Sequence, residues 1–96
     1  MSESDLQRAC IDLCRWLGLA WFHDNDSRRN RAGFPDLVIG GTGGFLFREL
    51  KSESGRLRPE QMDWLSRLNL GGADAAIWRP SDLSSGRIKS ELEAIR

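Results

Sequence analysis

The tetrapeptide Gly41-Thr42-Gly43-Gly44 is the feature that most limits how this chain can fold. It separates two apolar segments, residues 35–40 and 45–51. A glycine-rich stretch of this length between two such segments predicts a β-hairpin.

Symmetric pairing about this turn brings two acidic residues together. It sets Val38 opposite Phe47 and Asp36 opposite Glu49, and directly opposed residues have Cβ atoms about 5 Å apart on one face of a sheet. Two bare carboxylates that close repel each other, which a divalent cation between them would relieve. Lys51 lies two residues after Glu49 and points to the same face. This combination suits the hydrolysis of a phosphodiester.

A chance origin is the alternative, because an Asp followed by a Glu-x-Lys string occurs in many unrelated chains. The predicted register favours a site. A one-residue bulge in the turn would remove that support, since it would send Glu49 to the other face of the sheet.

Charge is balanced over the whole chain but is uneven along it. The formal net charge is zero, which argues against an indiscriminate polycation. Residues 28–58 carry seven basic side chains against three acidic ones, Asp36, Glu49 and Glu53. This favours a phosphate-backbone substrate, with a solvated surface as the alternative. The basic residues are Arg28, Arg29, Arg31, Arg48, Lys51, Arg56 and Arg58.

Five of these arginines lie in two polar loops, residues 24–33 and 52–58. We expect both loops to bind DNA phosphates, because loops carry many binding residues and arginine pairs well with phosphate. The best candidates are Arg28, Arg29 and Arg31, followed by Arg56 and Arg58.

At 96 residues the chain predicts a single domain, 1–96. No apolar run approaches the roughly 20 residues of a membrane span, and the N-terminus does not resemble a secretory signal, so we expect an intracellular protein. Cys10 and Cys14 lie four residues apart in a helical stretch and are predicted core residues. A zinc site would need more ligands than these and His23.

The remaining segments predict helices and strands around the hairpin. Leu6, Cys10, Leu13, Cys14 and Leu17 form the apolar stripe of a first helix, residues 3–17, which Gly18 ends. A second helix begins at Pro59 and ends at Gly71-Gly72. We also predict a strand over 19–23, a strand over 73–78 and a C-terminal helix over 87–96.

Two polar residues interrupt the apolar faces of these helices. Glu3 begins the stripe of the first helix, where it either reaches the metal site, directly or through water, or lies in solvent at the helix start. Gln61 lies beside Trp64, Leu65 and Leu68 on the second helix. It either orients the attacking water or binds a phosphate oxygen, or it is a buried amide satisfied by backbone groups.

Taken in order, these motifs resemble the virus-type replication-repair nuclease domain, abbreviated VRR-NUC, a branch of the PD-(D/E)xK nuclease superfamily. The resemblance covers nearly the whole chain. Its departures are Phe34, where a β-branched residue is commoner, and Leu50, where valine is common. The matching motifs are Glu3, Leu6 and Gln7, then Gly33-Phe34-Pro35-Asp36-Leu37, then Glu49-Leu50-Lys51, then Pro59-Glu60-Gln61 with Trp64-Leu65 and Leu68.

The resemblance implies an α/β fold with a restriction-endonuclease-like αβββαβ core, a mixed sheet flanked by helices. It also implies DNA cleavage that depends on Mg²⁺ or Mn²⁺. Stand-alone members resemble Holliday-junction resolvases and act as homodimers, so we expect branched DNA as the partner. A flap or non-specific nuclease, or a catalytically silent DNA-binding subunit of a repair assembly, are the alternatives.

The resemblance also suggests individual roles. Asp36 and Glu49 are expected to hold the metal together with the Leu50 carbonyl, and Lys51 to position the attacking water. Glu3 and Gln61 belong to the surrounding shell. Gln7 lies one helical turn after Glu3 and is the alternative residue at that place.

Overall fold

The computed structural model describes residues 1–24 and 32–96. Over these residues, helices flank one four-stranded sheet whose spatial order is the same as its order in the chain. The elements are α1 (Glu3–Leu17), β1 (Ala20–His23), β2 (Leu37–Gly41), β3 (Gly44–Leu50), α2 (Pro59–Leu70), β4 (Ala75–Trp78), α3 (Pro80–Ser84) and α4 (Arg87–Ala94).

The sheet is mixed, as predicted. β1 pairs with β2 and β2 pairs with β3 in antiparallel fashion, whereas β3 and β4 are parallel. A parallel pair needs a long crossover connection, and α2 supplies it. The order α1, β1, β2, β3, α2, β4 confirms the αβββαβ core.

The predicted hairpin register is confirmed. Val38 pairs with Phe47 and Gly41 pairs with Gly44, so the turn is the two residues Thr42 and Gly43, and no bulge intervenes. Leu37 pairs with Arg48 at the other end, which leaves Asp36 and Glu49 as the next opposed residues.

The hairpin tip packs against the C-terminal end of α4. Gly43 donates a backbone hydrogen bond of 2.9 Å to the Ile95 carbonyl. A Cβ atom on Gly41 would lie 1.9 Å from that carbonyl oxygen, so only glycine allows this approach.

The main core lies between the sheet and the helices α1 and α4. α1 begins with a Ser2–Asp5 capping box and ends at Gly18 in the left-handed conformation. It buries its predicted stripe except for Leu13, which is partly buried. Burial raises the pKa of Cys10 to about 12, which suits a neutral core thiol. The core residues are Leu6, Cys10, Cys14, Leu17, Leu19, Leu37, Ile39, Leu46, Leu50, Trp78, Ile88, Leu92 and Ile95.

Arg48 belongs to this core, and its inclusion among the basic residues around the carboxylate pair is therefore wrong. Its side chain is 2% exposed. It forms ion pairs of 3.0 Å with both Asp74 and Glu91 and lies 5.2 Å from the centre of the Trp78 ring. Strand alternation explains this position, because Arg48 points to the face opposite its neighbour Glu49.

Sequence patterns located the elements to within one or two residues, with one omission. α3, Pro80–Ser84, was not predicted. It is only five residues long, and the Asp82 side chain caps it by accepting a hydrogen bond from the Arg79 backbone.

No helix in the described part of the chain is long and apolar enough to cross a membrane.

Candidate active site

A cavity of about 370 Å³ opens where β2 begins and β3 ends. It contains all five residues that the sequence predicted as catalytic, Glu3, Asp36, Glu49, Lys51 and Gln61. The other lining residues are Asp24, Gly33, Phe34 and Arg58.

Gly33 and Phe34 bring Asp36 into this cavity. Gly33 has a φ of +89°, and a Cβ atom there would lie 2.5 Å from the Glu60 carbonyl oxygen, so the chain passes directly against the first turn of α2. Phe34 then packs edge-on against Trp64, with ring centres 5.0 Å apart, and against Phe47 at 6.2 Å. These contacts anchor the start of β2 to α2.

The Asp36 carboxylate is oriented by the neighbouring strand. Its Oδ2 atom accepts a 2.8 Å hydrogen bond from the backbone N–H of Leu50. In a strand the N–H and C=O of one residue point to the same edge, so the Leu50 carbonyl is also directed toward Asp36. The Leu50 side chain is buried in the core on the other face.

Glu49 is buried beside Asp36, and its ionisation is strongly perturbed. The side chain is 3% exposed. Burial is the main cause that raises the pKa of Glu49, to about 8, and the Asp36 charge, a hydrogen bond to Asp36 and the Glu3 charge raise it further, whereas Lys51 lowers it. A buried carboxyl group next to a second carboxylate is disfavoured in its charged form, which is why the shift of Glu49 is upward.

Gln61 holds Glu49 from α2. Its Nε2 donates a 3.1 Å hydrogen bond to Glu49 Oε2, and its Oε1 accepts a 2.9 Å bond from the Arg58 backbone N–H. The bond from Arg58 fixes which end of the amide faces Glu49. Gln61 is therefore both a buried amide satisfied by backbone and a direct neighbour of the acidic pair.

Glu3 lines the cavity, whereas Gln7 does not. Gln7 lines a separate cavity along α1 with Arg8 and Arg15 among its neighbours. The charge of Glu3 contributes to the raised pKa of Glu49. Of the two residues that the sequence left as alternatives, Glu3 is the one beside the carboxylate pair.

The donor set fits a hard divalent cation. Within residues 1–24 and 32–96, no group of three or more His, Cys, Asp or Glu side chains converges on one point. A metal held by Asp36 and Glu49 would therefore need further oxygen ligands, which the Leu50 carbonyl and water would supply. Oxygen ligands and retained water are typical of Mg²⁺, and a cation would relieve the repulsion between the two carboxylates.

The predicted DNA-binding arginines fall into two groups. Arg58 is exposed at the rim of the cavity and pairs with Glu60 at 3.1 Å, and Arg56 is exposed on the same loop. The predicted phosphate contacts of Arg28, Arg29 and Arg31 lie outside the described residues.

Sequence reasoning missed Asp24 as a residue of the cavity. Its backbone N–H donates a 3.3 Å bond to the Asp36 carbonyl, which continues the pairing of β1 with β2 by one residue. Extending the predicted first strand against β2 in the same register would have found it. Phe34 and Gly33 were noted as motif residues but not as lining residues.

Comparisons with known proteins agree with this architecture. The model of the VRR-NUC domain family matches residues 2–81. A solved VRR_NUC domain protein superposes with a TM-score of 0.72 at 18% identity, covering 98% of this chain and 90% of that chain. Hjc, a Holliday junction resolvase from Archaeoglobus fulgidus, superposes with a TM-score of 0.51 at 24% identity, covering 81% of this chain and 65% of that chain. At these identities the two structures share a fold with this chain. No curated protein sequence matches.

Proposed function

The chain belongs to the VRR-NUC domain family, and from this premise we propose that it is a divalent-metal-dependent endonuclease that hydrolyses DNA phosphodiester bonds. The observation that carries the proposal is the pair of buried Glu49 and half-buried Asp36, which lines one cavity with Lys51 and Arg58. Membership of a nuclease family supports DNA as the substrate. Metal dependence is inferred from the chemistry of the carboxylate pair.

Asp36, Glu49 and the Leu50 carbonyl would hold Mg²⁺ or Mn²⁺. When bound, such an ion supplies Lewis acidity toward the phosphate and lowers the pKa of a coordinated water. The chain's own groups do the rest of the positioning. The Leu50 N–H orients Asp36, and Gln61 orients Glu49.

Lys51 and the arginines act on the substrate in this proposal. Lys51 lines the cavity with Glu49, and its charge lowers the pKa of that carboxyl group, so its ammonium can position the attacking water and stabilise negative charge that develops on the phosphate. Arg56 and Arg58, together with Arg28, Arg29 and Arg31, bind backbone phosphates away from the reacting bond. Glu3 acts through water at the edge of the site.

We propose branched DNA as the preferred substrate and a homodimer as the active form. The support for the substrate is the fold shared with Hjc, a Holliday junction resolvase. A four-way junction presents two symmetric strands, and a twofold dimer would offer two symmetric sites.

Two further expectations stay predictions: that residues 1–96 form a single domain, and that the protein is intracellular.

The part of this sheet face that lies away from Asp36 and Glu49 is uncharged and suits such a dimer. The rows Phe22–Val38 and Gly40–Phe45 lie beside each other on β1, β2 and β3, and Phe22 is 60% and Phe45 is 67% exposed. Their exposed rings offer roughly 250 Å² of apolar surface, about a third of the ~800 Å² that each partner buries in a standard interface.

Because these four residues are uncharged, a second copy of this chain suits them better as a partner than DNA does. DNA binding needs basic groups, whereas a self-complementary contact is opposed by like charges that meet across the twofold axis.

Replacing both Phe22 and Phe45 with serine should give the mass of one chain at micromolar concentration, where wild type gives twice that mass. A monomeric wild type would contradict the dimer.

Cleavage of labelled four-way junctions, flaps and linear duplexes, with Mg²⁺, Mn²⁺ or EDTA, tests the activity. We expect metal-dependent nicking by wild type and none by Asp36→Asn or Glu49→Gln, both of which should still bind DNA. Cleavage by either variant at the wild-type rate would overturn the site. Binding without cleavage by wild type would favour the silent subunit, and a preference for flaps would favour a flap nuclease.

A further inference from the structure

We propose that Arg79 is a positioning residue, which holds the loop of residues 52–58 so that its basic groups meet DNA. The inference rests on the proposed function of the cavity. Arg79 directly follows β4 and is far in sequence from this loop, and no motif in the sequence connects the two.

The Arg79 guanidinium donates hydrogen bonds to three backbone carbonyl groups of the loop. Its Nη1 atom donates hydrogen bonds of 2.7 Å to the carbonyls of both Ser52 and Gly55 and a longer one of 3.3 Å to Glu53. Gly55 N–H also donates to the Ser52 carbonyl at 3.3 Å. Residues 52–55 therefore form a hydrogen-bonded turn whose carbonyl groups bind the Arg79 guanidinium. Hydrogen bonds from a charged donor are the stronger kind.

A second contact runs in the opposite direction. Glu53 Oε1 accepts a 2.9 Å hydrogen bond from the backbone N–H of Ser81 in the first turn of α3. The Arg79 backbone N–H is itself held by Asp82. The loop and the segment after β4 therefore hold each other through two independent side chains.

This attachment fixes the middle of a loop whose two ends belong to the site. At one end Lys51 donates its N–H to the Trp78 carbonyl, and at the other end Arg58 donates its N–H to Gln61. Arg56 is exposed between the two. Without the guanidinium, the loop backbone would gain conformational freedom, and ordering it on DNA would cost part of the binding free energy.

A double-mutant cycle separates positioning from a direct phosphate contact and from general destabilisation. Affinity for a four-way junction is measured in the cleavage-inactive Asp36→Asn background, with and without Arg79→Ala, and again with Arg56→Ala and Arg58→Ala added. We expect Arg79→Ala by itself to weaken binding about tenfold, from the cost of ordering the loop, and to weaken it less than about twofold when Arg56 and Arg58 are already absent. Arg79→Lys, which keeps a cation with three donors, should recover most of the affinity.

Arg87→Ala is the matched control, because Arg87 pairs with Asp82 and Glu91 beside α3 but has no described contact with the loop. It should lower the melting temperature without changing affinity. Equal weakening by Arg79→Ala in both backgrounds, or equal weakening by Arg87→Ala and Arg79→Ala, would overturn the proposal.

Hydrogen exchange of the loop amides gives a readout that is independent of DNA. Faster exchange over residues 52–58 in Arg79→Ala, with α1 unchanged, supports the proposal, and unchanged exchange overturns it. Failure of wild type to bind DNA would instead overturn the proposed function of the cavity.

Discussion

Gln61 Nε2 donates a hydrogen bond to Glu49 Oε2 across 3.1 Å, and this contact joins α2 to the acidic pair. Replacing Gln61 with alanine should slow cleavage roughly 10- to 100-fold, the usual cost of removing a group that orients a metal ligand. Single-turnover rates on a junction substrate measure this. Met62→Ala, at an exposed position one residue away, is the control; a Gln61→Ala rate equal to wild type would mean that Glu49 needs no such support.

Lys51→Ala should leave metal binding nearly intact and slow the chemical step by about 10²- to 10³-fold, because in the proposed mechanism the ammonium stabilises charge that develops in the transition state. Metal affinity by calorimetry and single-turnover cleavage at saturating metal separate the two effects. Cleavage equal to wild type would remove Lys51 from the chemistry, and loss of metal affinity would reassign it to the metal site.

Stability without metal should fall as pH rises from about 4.5 to about 8. The folded-state pKa of Glu49 is raised from 4.5 to about 8, so the fold favours the protonated form. The resulting stability is fully present below the lower value and disappears as pH rises through the higher one. Melting curves in EDTA should show a weaker decline for Glu49→Gln than for wild type, and identical pH slopes would contradict this.

Mg²⁺ or Mn²⁺ should reverse the loss of folding stability that rising pH causes. A cation bound only by the folded state raises the melting temperature, and the effect should be larger at pH 8 than at pH 5, because metal binding requires Glu49, whose pKa is raised to about 8, to lose its proton. Asp36→Asn and Glu49→Gln should show little of this stabilisation. The same metal-induced shift in both variants would point to binding elsewhere.

Gly33→Ala should destabilise the fold by about 2 kcal/mol or more, from the left-handed backbone and the overlap with α2 together. Gly72→Ala is the matched control. Its φ is +96°, close to the +89° of Gly33, but a Cβ atom there meets nothing within 4 Å. Urea denaturation gives the free energy of unfolding of each variant. The difference between Gly33→Ala and Gly72→Ala therefore measures the cost of placing a Cβ atom against Glu60. Equal destabilisation would mean that only the backbone conformation matters.

Replacing Arg56 and Arg58 with glutamine should weaken DNA binding and reduce the salt slope by about one for each phosphate that is no longer bound. The same change at Arg28, Arg29 and Arg31 tests the other predicted loop. Arg67→Gln is the control, since Arg67 pairs with Asp63 on the surface of α2. A loop whose variants keep the wild-type salt slope does not bind phosphate.

Local patterns in the sequence were sufficient for much of the fold and for the centre of the site. The spacing of the apolar residues and the flanking caps predicted α1, because both depend only on neighbours in the chain. The glycine-rich turn predicted the hairpin register. Strands alternate faces with a period of two, and this made Asp36 and Glu49 opposed residues on one face.

Only the tertiary structure decided between residues that share the same local pattern. Glu3 and Gln7 lie on one helix face, and the position of α1 relative to β3 selects Glu3. Arg48 resembles the predicted DNA-binding arginines in sequence but is buried between β3 and α4. Arg79 reaches a loop more than twenty residues earlier.

The division has a physical cause. Turn geometry, strand alternation and helix capping act over a few residues and are encoded in short segments. The burial of Arg48, the choice of Glu3 and the attachment made by Arg79 depend on contacts between segments far apart in the chain, which exist only after the helices have packed on the sheet.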